Sequence, residues 1–304
     1  MTLLVALALA AEAYSAPLAL PKVAKVEMRV ERSREDIRAG KTTKGQSTAV
    51  YDKTIETTAD GHRVTFKPVS VTQPDMGSPT DQAKLAAAIE QVSQQTFVYT
   101  ADANLRPVAV EDWPQVVTTI RSALTKIVGD KPEGAQAIEM VTAMFSRMTP
   151  EQAAGVILRE DGFLSMPVNL QLAAGQSKTW QENLPNPMGG PPIIADGKIV
   201  VETIDAARGV AALRWTQALD PASTRASMTI ALKAMAAQLG KTDAAPTIEK
   251  LKLERTSSCL YEITLKTGLP TKADCSSLIA GSDPTSGQTA TRTERWVLTQ
   301  TLKN

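Results

Sequence analysis

Few residues in this chain are of a type that could carry acid–base or metal chemistry. His62 is its only histidine, so a Ser-His-Asp triad or a histidine-based metal site would have to use it. The nearest approach to a nucleophile motif is Gly175-Gln176-Ser177-Lys178-Thr179, which lacks the second glycine of a Gly-x-Ser-x-Gly turn. We expect His62 to be a surface residue of a strand that follows the Asp60-Gly61 turn. The sequence therefore predicts no catalytic residue, no cofactor and no metal site.

Carboxylates leave one catalytic alternative open. The chain has 32 Asp and Glu against 33 Lys and Arg, and two carboxylates that meet in space would be enough for a hydrolase. An aromatic content of 4% is low for a site that stacks sugars or bases, and the even charge balance gives no basic surface for nucleic acid. We expect a non-enzymatic protein. A hydrolase with a dispersed carboxylate site is the alternative, and a purely structural or interaction module is the third hypothesis.

The two cysteines, Cys259 and Cys275, indicate a covalent link and not redox chemistry, because they are too far apart for a C-x-x-C motif. The segment 266–270 between them contains Gly and Pro and predicts a turn with a strand on each side. Both cysteines lie at nearly the same distance from this turn, so a hairpin would place them opposite each other, near bridging distance. Two buried free thiols are the competing interpretation. A disulfide is favoured if the chain is exported.

Residues 1–15 have the pattern of a signal peptide. The run 3–11 is apolar and uncharged, and it is much shorter than the ~20 residues of a membrane-spanning helix. Small residues then provide two A-x-A-like cleavage sites, ending at Ala13 and at Ser15. The basic residues that usually precede such a run are missing, and a buried N-terminal helix of a cytosolic protein is the alternative. We expect a periplasmic or secreted protein with no membrane span and no lipid-bearing cysteine.

Residues 22–304 predict one composite α+β domain. Alternating apolar and polar residues predict strands at 23–32, 48–58, 62–71, 96–100, 106–110, 198–205, 209–219, 248–256, 258–266, 271–278 and 290–302. Helical spacing and capping residues predict helices at 78–92, within 113–127 and 138–148, from Thr149, and after Asp220. The fold class is therefore α+β, with hairpin-connected antiparallel β-sheets, a central helical segment and one later helix.

Two segments predict boundaries within this domain. Residues 32–48 are charged and rich in Gly and Thr, which favours a long loop. Asp161-Gly162 is expected to end the helical part, and strands are expected to resume at Phe163. The stretch 161–175 is therefore a possible seam between an N-terminal β/helical half and a C-terminal β-rich half.

One stretch resembles a group of uncharacterised bacterial exported proteins that share a β-rich domain of unknown function. The matching pattern is Phe163-Leu164-x-x-Pro167-x-x-Leu170, then Gly175-x-Ser177-x-x-Trp180, then the strands around 209–213. The resemblance covers residues 160–302 and implies a proline-bearing strand that leads into a Gly-x-x-Trp turn. It implies no activity and no catalytic residues. Many members of that group are lipoproteins, and this chain lacks their lipid-bearing cysteine.

Apolar helix faces suggest what such a protein does. Met- and Ala-rich faces occur within 113–148 and 228–239, and methionine adapts well to irregular apolar ligands. The predicted partner is an apolar small molecule or another envelope protein. Ordinary core packing is the alternative explanation of these faces.

Overall fold

The computed structural model describes residues 13–72, 96–128, 132–184, 191–238, 252–283 and 287–303. Residues 1–12 of the predicted signal peptide and the predicted helix at 78–92 lie outside the described residues. The fold is α+β with hairpin-connected antiparallel strands, which confirms the predicted fold class.

The described elements follow the predicted order of strands, central helices, strands, helix and strands. The strands are β1 (Ala13–Ser15), β2 (Val23–Arg38), β3 (Lys41–Thr57), β4 (His62–Val71), β5 (Phe97–Ala101), β6 (Pro107–Val110), β7 (Gln171–Ala173), β8 (Ser177–Leu184), β9 (Ile193–Asp205), β10 (Val210–Leu219), β11 (Lys252–Thr264), β12 (Pro270–Asp283) and β13 (Gln288–Lys303). The helices are α1 (Trp113–Val128), α2 (Pro132–Arg147), α3 (Pro150–Ile157), α4 (Arg159–Ser165) and α5 (Pro221–Gln238).

Eleven of the strands form one continuous antiparallel sheet in the order β6-β5-β4-β3-β2-β13-β12-β11-β10-β9-β8. Neighbouring strands in the sheet are also neighbours along the described chain, except at the centre. There β2 pairs with β13, from Lys25 opposite Lys303 to Arg38 opposite Ala290. The short strands β1 and β7 pair separately. Both halves of the chain therefore contribute to a single sheet.

The sheet curls until its two ends approach each other. Arg106 lies between β5 and β6 and Glu182 lies on β8, yet Nη2 of Arg106 is 3.7 Å from Oε2 of Glu182. A flat sheet of eleven strands would separate its edges by about 48 Å, because neighbouring strands lie ~4.8 Å apart. Asn169, in the segment between α4 and β7, adds a second link by donating to the Ala103 carbonyl and to Oδ1 of Asn104, both at 3.0 Å.

The inner face of the curled sheet is apolar. On β2 the residues Ala24, Val26, Met28 and Val30 are buried and alternate with exposed polar residues, because successive side chains of a strand point to opposite faces. Helices α1 and α3 cover the β5–β6 end of this face. Helix α4 and the N-terminal arm (residues 14–20) cover its centre. The inner face is therefore filled by the chain's own segments.

Two predictions of strand limits are wrong. The loop predicted at 32–48 does not form, because β2 and β3 continue to a turn at Ala39-Gly40 and β2 also pairs with β13 there. Much of this extension is exposed on both faces, so it has little hydrophobic alternation to reveal it. The two strands predicted at 248–256 and 258–266 are not separate, because within the described residues 252–264 they form one strand, β11, in which Ser257 and Ser258 continue the pairing with β12.

The predicted end of the helical part at Asp161-Gly162 is also wrong. Both residues lie inside α4, and Phe163 belongs to that helix and does not begin a strand. Pro167, which the family resemblance places in a strand, lies in the turn after α4. Asp161 is buried against a charged partner on the sheet, so it does not act as the turn former that its side chain suggests.

Candidate functional site

Helix α4 lies against the inner face of the sheet and is held there by charged residues. Three consecutive side chains at its start each form an ion pair with a different strand. The pairs are Arg159 with Glu294 on β13 at 3.2 Å, Glu160 with Arg32 on β2, and Asp161 with Lys53 on β3. β13, β2 and β3 are neighbours in the sheet. The helix is therefore attached across the centre of the sheet by polar contacts.

The pair of Asp161 and Lys53 is the most deeply buried of the three. Only 7% and 3% of these side chains are exposed. Oε1 of Gln300 lies 3.5 Å from the Lys53 ammonium, and burial raises the pKa of Tyr99 well above its ordinary value, helped by the negative charge of Asp161 and a hydrogen bond to it. The adjoining cavity measures about 20 Å³, enough for one water. An ion pair buried this deeply keeps its partners together, since separating them leaves uncompensated charge.

The other end of α4 packs on Trp215, Trp296 and Tyr261, which together are called the aromatic band. The Phe163 ring centroid lies 5.8 Å from that of Trp215 and 5.6 Å from that of Trp296. The hydroxyl of Tyr261 donates to the carbonyl of Phe163 at 2.9 Å. Apolar contacts and one hydrogen bond therefore attach this end, whereas ion pairs attach the start of the helix.

The two cysteines lie between Trp215 and Trp296, opposite them on the neighbouring strands. Cys259 and Cys275 are directly opposite each other on β11 and β12, which confirms that part of the prediction, and their sulfurs are at disulfide distance. Trp215 pairs with Cys259 on one side, and Trp296 pairs with Cys275 on the other. A cysteine pair at this distance fits a compartment outside the cytosol.

Several buried polar atoms in this region have no hydrogen-bond partner among the described residues. They are Nε1 of Trp215, Nε1 of Trp296, the Tyr14 hydroxyl, and Nε and Nη2 of Arg159. The Arg159 guanidinium lies 4.1 Å from the Trp296 ring centroid, and burial lowers its pKa against the opposing effect of Glu294. Burial also raises the pKa of Tyr14 to about 12. Native proteins leave few buried donors unpaired. The concentration of such donors around α4 therefore makes this region the candidate binding site.

A second cation, Arg255, adjoins Arg159 on the inner face. Nε of Arg255, on β11, lies 3.4 Å from Oγ of Ser277, and that hydroxyl lies 3.2 Å from Oγ of Ser257. Burial and, next, the positive charge of Arg159 lower the pKa of Arg255. No carboxylate lies within ion-pair distance of Arg255 in the described ranges. The described region therefore holds more half-buried positive charge than its carboxylates neutralise.

His62 lies elsewhere on the inner face, and the prediction that it is a surface residue is wrong. It is 9% exposed and pairs with Thr57 and Ala101. Burial lowers its pKa, while the charge of Asp102 acts in the opposite direction. Ser177 lies exposed on β8, and Nδ1 of the buried His62 has no hydrogen-bond partner among the described residues. The structure therefore does not bring the single histidine to the serine of the incomplete nucleophile motif.

Sequence reasoning missed the α4 site because it looked for apolar helix faces elsewhere. The face that contains Val116, Val117 and Met148 packs into the core near α3, which is the ordinary-packing alternative. The charged triplet of Arg159, Glu160 and Asp161 directly before Phe163 was an available signal, but its partners are far away in the sequence.

The described part of the chain lacks two kinds of feature, a metal-binding cluster and a membrane-spanning helix. It contains no group of three or more His, Cys, Asp or Glu side chains that could hold a metal. None of its helices combines the length and hydropathy that a membrane crossing requires. No protein-family model matches the chain, and no curated protein matches it.

Proposed function

We propose that this protein is a non-enzymatic binding protein that holds an apolar or amphiphilic ligand against the inner face of its sheet, in the place that the Phe163 end of α4 occupies. The observation that carries the proposal is the set of unpaired buried donors around Phe163, namely those of Trp215, Trp296 and Arg159. A ligand acceptor would satisfy these groups, and the aromatic band would bury its apolar part.

Binding requires the Phe163 end of α4 to move away from the sheet, because the space beside the helix is small, while Arg159 at the start of the helix stays beside Trp296. The cavity next to Asp161 and Lys53 has room for one water, so a larger molecule reaches the aromatic band only after Phe163 leaves it. The pair of Glu160 and Arg32 is partly exposed, so water replaces this contact at small cost when the helix tilts. The buried pair of Asp161 and Lys53 opposes opening most strongly. The affinity of the ligand is therefore reduced by the rarity of the open form.

The proposed compartment is the periplasm or the extracellular space, with a signal peptide that ends at Ala13. The cysteine pair at disulfide distance supports an oxidising compartment. Tyr14 is 1% exposed in the core and Ser15 pairs with Gln171, so cleavage after Ala13 keeps a core residue that cleavage after Ser15 removes. N-terminal sequencing of protein from its native host should find a mature chain that begins at Tyr14. A chain that still begins at Met1 in the native host would contradict export.

A fluorescence titration tests the binding proposal. In a variant with Trp113→Phe and Trp180→Phe, the remaining indoles are Trp215 and Trp296. Adding lauryl alcohol should shift their emission in a saturable way, because the ligand replaces Phe163 beside them. Native mass spectrometry should show the matching complex, and protein from its own host should carry an endogenous apolar molecule.

The control variants separate opening from general destabilisation. Glu160→Gln removes the link to Arg32 and should strengthen lauryl alcohol binding, since α4 opens more easily. Glu202→Gln breaks a comparable pair with Arg214 on the outer face and should leave binding unchanged. Unchanged indole emission at saturating lauryl alcohol, together with only unliganded protein by mass spectrometry, would refute the proposed function.

A further inference from the structure

We propose that Arg159 and Arg255 form a binding site for the oxyanion, a carboxylate or a phosphate, of an amphiphilic ligand whose apolar part lies on the aromatic band; this inference rests on the proposed function. Both guanidinium groups project from elements that border the band. The proposed ligand class is therefore an anionic amphiphile.

The charges around Arg159 and Arg255 favour an anion at this place. Arg159 donates through Nη1 to Glu294 at 3.2 Å, and Arg255 reaches only the Ser277 hydroxyl, at 3.4 Å, among the polar groups of the described residues. Of the two guanidinium groups, Arg159 alone is therefore paired with a carboxylate. A bound oxyanion would neutralise the remaining charge, and guanidinium groups bind carboxylate and phosphate with two parallel hydrogen bonds.

Unused donors lie at the same place. Nε and Nη2 of Arg159 are buried and have no partner in the described part of the chain. The hydroxyls of Ser257 and Ser277 are 3.2 Å apart and occupy the row next to the disulfide, since Ser257 pairs with Ser277 and Cys259 with Cys275. These groups provide several donors for an oxygen-rich group. The oxyanion would therefore sit one row beyond the aromatic band that holds the tail.

The site is reachable from solvent. The Arg159 side chain keeps 30% exposure, so an anion reaches it without complete opening of the core. Arg32, Arg34 and Arg292 line the adjoining rows of the same face, with partners at Glu160 and Asp36. This end of the inner face is consequently rich in cations and favours the approach of anions.

The test compares ligands that differ only in the headgroup. Lauric acid, lauryl phosphate, lauryl alcohol and inorganic phosphate are titrated into the full-length protein with Trp113→Phe and Trp180→Phe, in which Trp215 and Trp296 are the remaining indoles. Binding is followed by calorimetry and by indole emission. We expect the two anionic amphiphiles to bind at least about tenfold more tightly than the alcohol. Arg255→Gln should weaken anionic binding by about 10- to 100-fold, the range for charge-assisted hydrogen bonds, and leave the alcohol unchanged. Arg255→Lys should retain part of the difference.

Arg295→Gln is the matched control, because Arg295 lies on the outer face of β13 and pairs with Asp274; it should change no affinity. Equal binding of acid and alcohol, or an equal loss of both in Arg255→Gln, would overturn the oxyanion site and leave the proposed function standing. Binding of inorganic phosphate alone, lost in Arg255→Gln, would support the oxyanion site and overturn the apolar ligand. Binding of none of the four would overturn both.

Discussion

Replacing Asp161 by Asn should destabilise the protein strongly, because it leaves the Lys53 ammonium buried without its counter-ion. The two side chains are 7% and 3% exposed, so neither charge is free to reach water without breaking the core. Removing one partner of a buried pair typically costs about 3–5 kcal/mol. The attraction of two charges ~4 Å apart at an effective dielectric constant of ~20 is also about 4 kcal/mol. We therefore expect Asp161→Asn to lower the free energy of unfolding by about 4 kcal/mol.

Urea unfolding of the unaltered protein and three variants measures this effect. Lys53→Met combined with Asp161→Asn removes both charges, and this double variant should recover most of the loss, because the introduced amide is neutral and the Tyr99 hydroxyl still has an acceptor. Arg214→Gln breaks a half-exposed pair with Glu202, and it should cost less than about 1 kcal/mol. If Asp161→Asn alone unfolds the chain, the double variant should fold again.

Two results would refute the reasoning. An Asp161→Asn variant no less stable than Arg214→Gln would show that the burial of the pair with Lys53 has no energetic consequence. A double variant that loses as much as the single one would show that α4 is held by something other than the charge of Asp161.

Three further predictions concern the disulfide, the tyrosines and the N-terminal arm. Replacing Cys259 and Cys275 by Ala should lower the free energy of unfolding by about 3 kcal/mol, as for a closed loop of this size, with a sequence separation of 16; two free thiols in denatured, unreduced protein would contradict the bond. Burial raises the pKa of Tyr14 and Tyr51 to about 12. The stability that depends on these hydroxyls staying neutral is complete below pH ~10, the pKa of tyrosine in the unfolded chain. It is lost as the pH rises through the pKa in the folded protein. Spectrophotometric titration should therefore show phenolate appearing together with unfolding, and ionisation near pH ~10 in a folded protein would be inconsistent with it. A chain that begins at Ala16 should melt below one that begins at Tyr14, because burying such a side chain contributes about 1.5–3 kcal/mol; equal melting temperatures would argue against the arm as a core element.

The sequence predicted the strands well wherever one face is buried and the other is wet. β4 and β10 lie where alternation placed them, and Thr149 and Gln152 form the predicted capping box at the start of α3. The hairpin with Cys259 and Cys275 was predictable because turn residues and strand residues lie close together in the chain. Local patterns were enough in these cases.

The candidate site was not predictable in this way, because its contacts join distant residues. Asp161 is separated from Lys53 by 108 positions, and Arg159 from Glu294 by 135. Before these partners are known, a charged triplet followed by Gly162 has the pattern of an exposed turn. His62 was misassigned for a related reason, since the curl of the sheet decides which face of β4 is covered.

The pairing of β2 with β13 gives the sheet a cyclic order. Among the described residues, β2 and β13 are the first and last long strands, and they lie next to each other at the centre of the sheet. Until β13 is synthesised, the growing chain therefore has two half-sheets with open central edges. Contacts between strands so far apart in sequence form slowly. The sheet therefore completes only after β13 has been synthesised. The same cyclic order predicts that a circular permutant with new ends between β9 and β10 would build the same sheet.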